Sequence, residues 1–293
     1  MKISEVSRAE NAIESIGGLF ERGRPLIFDT CGLIYHPISK CPNLVWLTNH
    51  VSHPNELEKY GDLILAHEVY TKRISSLFGR YSNFFVVGEV GLEYKNGNSR
   101  LEEGVGVFNS HRILNKKKKG FNQYTETLKR ISKYEKSSRE KHNARGLDAQ
   151  EGFDKECFEK ICGCLDKFGK GFGIKENGGE NGSKADEQVA AFAIYLASMH
   201  GKNPIVLSND KHVRRLIEIF KGVVYLDQRV SHDKLGPFFR LKVKVDLFNC
   251  LDGDGEYLGG LTKVGDIGVG EESKRWLVKE ICELSEFLKN RKK

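Results

Sequence analysis

The sequence predicts an α/β fold: a parallel sheet flanked by helices, carrying a long basic insertion and a C-terminal β-hairpin plus helix extension. Three observations predict it. Short apolar runs recur without polar alternation, as strands buried on both faces do: Leu26-Ile27-Phe28, Phe84-Phe85-Val86-Val87, Pro204-Ile205-Val206-Leu207 and Val223-Val224-Tyr225-Leu226. Stretches of helical periodicity separate them, the alternation expected of a parallel sheet with helices on both faces. The first and third runs stop abruptly at polar residues, Asp29-Thr30 and Ser208-Asn209-Asp210, as central parallel strands do before their loops.

Taken in order, Val6, Ala12, Ile13 and Ile16 give the N-terminal segment a helical stripe that leads through Arg24-Pro25 into the first strand. Leu63 to Phe78 reads as helix before the second strand. Residues 96–182 then lose the pattern, apart from a helix around Phe153 to Phe168 and a glycine-rich loop from Gly169 to Ser183. Periodicity returns with Val189, Ala190, Phe192, Ala193, Leu196 and Ala197, on a helix that should end near Gly201. Val213, Leu216, Ile217 and Phe220 mark another helix after the third strand. Further on, Leu241, Val243, Val245 and Leu247 alternate with Arg240, Lys242, Lys244 and Asp246, a half-buried antiparallel strand with a cationic outer face; Asp252-Gly253 signals its turn. A last helix, from about Glu271 to Asn290, puts Leu277, Ile281, Leu284 and Leu288 on one side. The expected organisation is a discontinuous core, 1–95 and 183–230, interrupted by a basic, partly flexible insertion at 96–182 and extended by 231–293.

Composition narrows the function. Of 293 residues, 39% are hydrophobic and 30% charged, enough for a buried core and against wholesale disorder. No run of 18 apolar residues and no basic-then-apolar leader occurs, so an intracellular, cytoplasmic protein is expected. Seven cysteines at irregular spacing fit reduced thiols better than a disulfide framework. The formal charge of +7 is local: residues 111–145 hold twelve Lys or Arg against three acids, an excess of nine, which leaves the rest at minus two. Such a segment suits a polyanion, and it also suits a solvated loop.

Three acids converge on one sheet edge. Asp29 ends the first strand and Asp210 follows the third by three residues. Asp186 lies in the first turn of the preceding helix, within about 20° of Ala193 and so on the core-facing side. Each has a structural explanation too: Ser183-Lys184-Ala185-Asp186 reads as a capping box, Asn209 or Asp210 as an N-cap, and Thr30 as a cap after Asp29. Together, inward carboxylates need a compensating cation, and hard ions such as Mg²⁺ or Mn²⁺ take oxygen ligands.

The segments IFDTCGLI, KADEQVAAFAIYLA and IVLSNDKHVRRLI resemble PIN domains, over about 120 residues and in the right order. The resemblance implies a Rossmann-like sheet and a metal-dependent ribonuclease, with Asp29, Asp186 and Asp210 as metal-holding acids and Ser208 as the small hydroxyl beside the last. Thr30 and Asn209 flank them. The family's second acid is expected on a helix between the first two strands, where Glu68 is the candidate. Helical geometry turns Glu68 away from the stripe of Tyr70, Ile74 and Leu77, so Asp62 and Glu89 stand as substitutes. The long insertion also departs from compact members of the family.

The expected chemistry is hydrolysis of a phosphodiester in single-stranded or unpaired RNA, assisted by one or two Mg²⁺ or Mn²⁺ ions and needing no side-chain nucleophile. Lys116, Lys117, Lys118, Lys119, Arg130, Lys242 and Lys244 are candidate phosphate contacts, with Phe121, Tyr124 and Tyr134 available to stack on bases. A protein inhibitor or ribonucleoprotein partner is compatible with this. The alternatives are a silent RNA-binding or assembly module on the same scaffold, and a structure-specific DNA nuclease.

Other signals carry less. Asp29-x-Cys31 lacks the second aspartate of aspartyl-phosphate chemistry, and the glycine loop matches no phosphate-binding motif. Counted from Asp252, position 12 is Lys263, which excludes a calcium loop. Cys157, Cys162 and Cys164, with His142, have no standard zinc spacing.

Overall fold

The computed structural model describes residues 4–34, 60–96, 119–143, 152–171 and 184–208, with 212–213, 216–217, 224–226 and scattered positions between 276 and 291. Four three-residue strands, β1 (Leu26–Phe28), β2 (Phe84–Val86), β3 (Ile205–Leu207) and β4 (Val224–Leu226), pair in parallel in the order β2-β1-β3-β4. The α/β expectation holds. From β1 the chain moves to β2 on one side and later returns to β3 on the other, so the strand order reverses between β1 and β3. Open parallel sheets leave a crevice at that point, beyond the carboxyl ends of the strands.

Helices cover both faces, and the pleat explains which residues meet them. Leu26 stands opposite Phe84, and Phe28 opposite Val86, so these four share one face. On that side lie α1 (Glu5–Glu21) and α3 (Gly61–Arg80). Phe28 meets Phe78 edge-on with centroids 5.1 Å apart and Phe20 at 6.0 Å, while Phe78 stacks on Phe84 at 4.0 Å. Ile27, Phe85 and Val206 point the other way, where Phe85 meets Phe192 of α7 (Ala185–His200) at 5.1 Å. Residues Val189 to Leu196 are all buried, because α7 is pressed between the sheet and α6 (Lys155–Gly171). Gly201, in the left-handed region at φ 57°, ends α7 where the sequence places its end. At its start the N-cap is Lys184, which makes no side-chain cap bond; Ser183, expected to cap, lies outside the described residues.

The opposite end of the sheet is clamped by backbone groups. Leu26 donates its amide to the carbonyl of Asn83, and Ile205 to that of Pro25, each at 2.8 Å. The Asn83 side-chain amide donates to the carbonyls of Arg24 at 2.8 Å and Phe20 at 3.2 Å, tying the α1–β1 corner to the α3–β2 corner.

The segment 96–182 holds two packed helices. One is α6, near the expected helix. The other, α5 (Lys119–Asn143), lies along α3 in a stretch where the sequence shows no clear pattern. Its buried face explains why: Leu128 and Ile131 share it with Thr127, Glu135 and Ser138, all at most 5% exposed. Part of this polar seam is hydrogen-bonded in place, with Thr127 Oγ1 accepting from Arg130 at 2.9 Å, and Lys141 of the same helix donates to the Ser75 carbonyl of α3 at 2.6 Å. The last helix docks on α6 through the Lys167–Glu280 ion pair (2.8 Å) and Phe168 against Trp276, with Leu284 and Leu288 buried as expected. Strand 241–247 and its turn at Asp252-Gly253 lie outside the described residues. Among the described residues no helix is long and apolar enough to cross a membrane.

A short helix, α2 (Thr30–Leu33), follows β1 and crosses close to β3. A Cβ on Gly32 would meet the Leu207 carbonyl oxygen at 2.5 Å, and the Gly32 carbonyl accepts from the Tyr70 hydroxyl at 2.7 Å. Leu207 cannot yield, since it is backbone of a buried strand, and the hydrogen bond from buried Tyr70 keeps Gly32 from moving away. Gly32→Ala should therefore lower stability by about 1–3 kcal/mol, read as a lower urea midpoint with an unchanged slope.

Candidate functional site

The site begins with a carboxylate that the fold buries. Asp29 is 3% exposed, immediately after β1 and at the N-cap of α2. Its Oδ1 accepts from the Thr30 amide at 2.7 Å, and its Oδ2 accepts from the Ser208 hydroxyl at 2.6 Å. Its own amide donates to the Leu207 carbonyl at 3.1 Å, so backbone and side chain both bridge β1 to β3. Desolvating a carboxylate is expensive, and hydrogen bonds to its charged form compensate. Ser208, fully buried after β3, is placed as expected for a hydroxyl serving the acid.

A second acid joins from an element the sequence hides. Residues 88–96 form a short helix, α4, directly after β2. From it Glu93 accepts the Thr30 hydroxyl through Oε2 at 2.5 Å. Asp29, Thr30, Ser208 and Glu93 thus bring the carboxyl ends of β1, β2 and β3 together. Glu93 escapes the sequence reading although the clue is present: VGEVGLEYK places Glu89 and Glu93 four apart, on one helical face just past a strand.

The other expected residues divide. Glu68 is held by Arg130 from α5 through a two-pronged ion pair. Arg130 also donates to Thr127 Oγ1 at 2.9 Å. Asp62 accepts from the Glu5 amide at 2.8 Å and fastens the start of α1. Glu89 holds its place through its backbone, donating to Gln188 Oε1 at 3.2 Å. Asp186 is half-buried in the first turn of α7, while its neighbour Glu187 is 1% exposed and is the more deeply placed acid of that turn. Asn209, Asp210, Lys116, Lys117, Lys118, Lys242 and Lys244 lie outside the described residues, and Lys119 opens α5. Among the described residues no group of three or more His, Cys, Asp or Glu is close enough to hold a metal; Asp210 is not in that set.

Beside this cluster a cleft of about 770 Å³ opens past the end of β2, walled by α4, α6 and the first turn of α7. Cys162 lines it. Burial, followed by the charges of Glu187 and Glu159, pushes this thiol up to about 12. Burial does the same to Cys157 and Cys164, and the Cys157 thiol donates to Asp154 at 3.2 Å. All three are free thiols and poor thiolate ligands or nucleophiles at neutral pH. Deprotonation is disfavoured, so reactivity should appear only at alkaline pH. Alkylation of Cys162 by iodoacetamide, followed by peptide mass spectrometry, should rise about tenfold per pH unit from about pH 8 to about pH 11. A plateau near pH 9 would contradict this placement.

Compared with protein-family models, curated proteins and solved structures, the chain matches none.

Proposed function

We propose that the protein is a PIN-like, Mg²⁺- or Mn²⁺-dependent endoribonuclease that hydrolyses phosphodiester bonds in single-stranded or unpaired RNA. One observation carries the reading: a buried carboxylate, Asp29, sits where the strand order reverses, hydrogen-bonded to Ser208 and to Thr30, whose hydroxyl also holds Glu93. Positions that serve only stability have less reason to bury a carboxylate at the mouth of a sheet.

The donor set suits a hard divalent cation, because it offers carboxylate and hydroxyl oxygens and no thiolate or imidazole. Asp29 and Glu93 would hold the ion, with Asp186 and Asp210 completing the set from the sequence. When bound, the ion supplies an activated water and neutralises charge on the phosphate. The chain's own groups do the rest. Ser208 orients Asp29 by donating to Oδ2, and is thereby spent as a nucleophile. Thr30 fixes Glu93 in the same way, leaving Oε1 of that carboxylate for a proton from the attacking water. The raised thiols exclude the three described cysteines from covalent catalysis at neutral pH. On this reading the nucleophile is water.

Incubating the protein with a labelled stem-loop RNA and Mn²⁺ should give discrete cleavage that EDTA abolishes. Asp29→Asn and Glu93→Gln should each remove cleavage while retaining RNA binding, and Ser208→Ala should lower it about 10–100-fold by loosening Asp29. Glu68→Gln should leave the rate unchanged. Salt-sensitive binding without metal-stimulated cleavage of any RNA would replace this reading with that of a silent binding module. Cleavage of the matching DNA stem-loop alone would make it a DNA nuclease.

A further inference from the structure

We infer that the cleft beside the acids binds one nucleotide unit of a single-stranded RNA, a base on its apolar wall and the adjoining phosphate on its cationic rim. The inference rests on the nuclease reading for its direction, since the strand would pass from this cleft to Asp29.

Position comes first. Helix α4 separates the two places: Glu93 turns to Thr30, whereas Leu92 and Lys95 of the same helix line the cleft. The first turn of α7 is shared likewise, with Asp186 in the proposed acid set and Lys184 and Glu187 on the cleft. The volume of about 770 Å³ lies within the roughly 300–1,000 Å³ of small-ligand sites, ample for one nucleotide.

The lining has the chemistry of a nucleotide. Leu92 is 53% exposed, the large apolar side chain left most open among the described residues. Phe153 and Phe158, centroids 5.6 Å apart, are half-buried, with Phe192 behind them at 6.4 and 6.2 Å. Such a wall takes the face of any base, because every base has an apolar π-surface. Lys95, Lys155 and Lys184 are exposed at the cleft, and Arg139 reaches it from α5. Lys155 has Glu159 as a loose partner at 3.8 Å, with both side chains largely in solvent, so that pair yields readily to a phosphate. The acids do not cancel the reading: Glu159 lies with Lys155 at the rim, whereas Glu187 is buried, and a carboxylate at that depth accepts from the amino or imino groups of a base edge while repelling phosphate, which favours the base-inward order. Two walls, α6 and Arg139 on α5, come from the segment between β2 and β3, so the long insertion builds this place.

The test measures binding apart from cleavage. Fluorescence anisotropy with a labelled single-stranded RNA of about ten nucleotides, in EDTA across a salt series, gives affinity and its salt slope. Lys95→Gln/Lys184→Gln removes two exposed cations, and its thermal unfolding should match the parent. The slope of log K against log salt should become shallower by about 1.4. Leu92→Asp should weaken binding roughly five- to tenfold at fixed salt. Unchanged affinity and slope in both variants, or no RNA binding by the parent, overturns the inference. Mn²⁺-dependent cleavage is assayed on the same proteins. If the parent never cleaves yet the slope responds, the cleft stands and the nuclease reading falls. If Asp29-dependent cleavage persists and the slope does not respond, the reverse holds.

Discussion

The Asp29–Ser208 hydrogen bond is the interaction around which the rest of the molecule is arranged. It joins residues 179 apart in sequence, and the Asp29 amide to the Leu207 carbonyl repeats the link in the backbone. A buried carboxylate tolerates little error in its surroundings, because a lost hydrogen bond there leaves an uncompensated charge. The fold removes the error mechanically. Gly32 lets α2 lie against Leu207, and the Tyr70 hydroxyl pins the Gly32 carbonyl from α3. Asp29 is thus placed by neighbours on two strands and two helices, and its orientation is a property of the packed core.

That core supplies rigidity by an economical device. Three-residue strands give few ladder bonds, so side chains on both faces must hold the sheet. Phe20, Phe28, Phe78 and Phe84 interlock beneath it, and Phe85, Phe153, Phe158, Phe192 and Tyr195 form the counterpart above. Aromatic rings bury much area with few rotamers, and they meet at preferred angles. The segment between β2 and β3 thickens both sides, with α5 on α3 and α6 on α7. The basic stretch that reads as a loop in sequence is therefore in part a second layer of the fold.

What the sequence discloses and what it conceals follow from the same physics. The strands are legible because burial on both faces leaves no polar residue within them, and Asp29 and Ser208 are legible because each breaks such a run. Helix α5 is concealed, since periodicity counts apolar residues and its seam buries Thr127, Glu135 and Ser138 beside only a few of them. Glu68 attracted attention by lying between two strands, yet its partner Arg130 is 62 residues away, beyond any local pattern. Glu187 hides for the opposite reason. With α7 buried nearly all round, a hydrophobic face no longer distinguishes position 186 from 187. Glu93 sits on a short, glycine-containing helix that offers too few turns for a stripe to show.

The two hydroxyls bear on why the proposed chemistry belongs here. Ser208 and Thr30 each donate to a carboxylate oxygen, and such hydrogen bonds offset the cost of taking a carboxylate out of water. Two carboxylates held close to one another also repel each other. A substrate phosphate is itself negative and would be turned away by the same acids. On the proposed reading, a cation at the acids and the lysines around the cleft resolve both repulsions together. The acids then need not be neutralised by the protein, and the lysines need not sit among them, where they would compete for the ion. Separating the two charges on opposite sides of α4, with Glu93 toward one and Lys95 toward the other, lets a single short helix serve both.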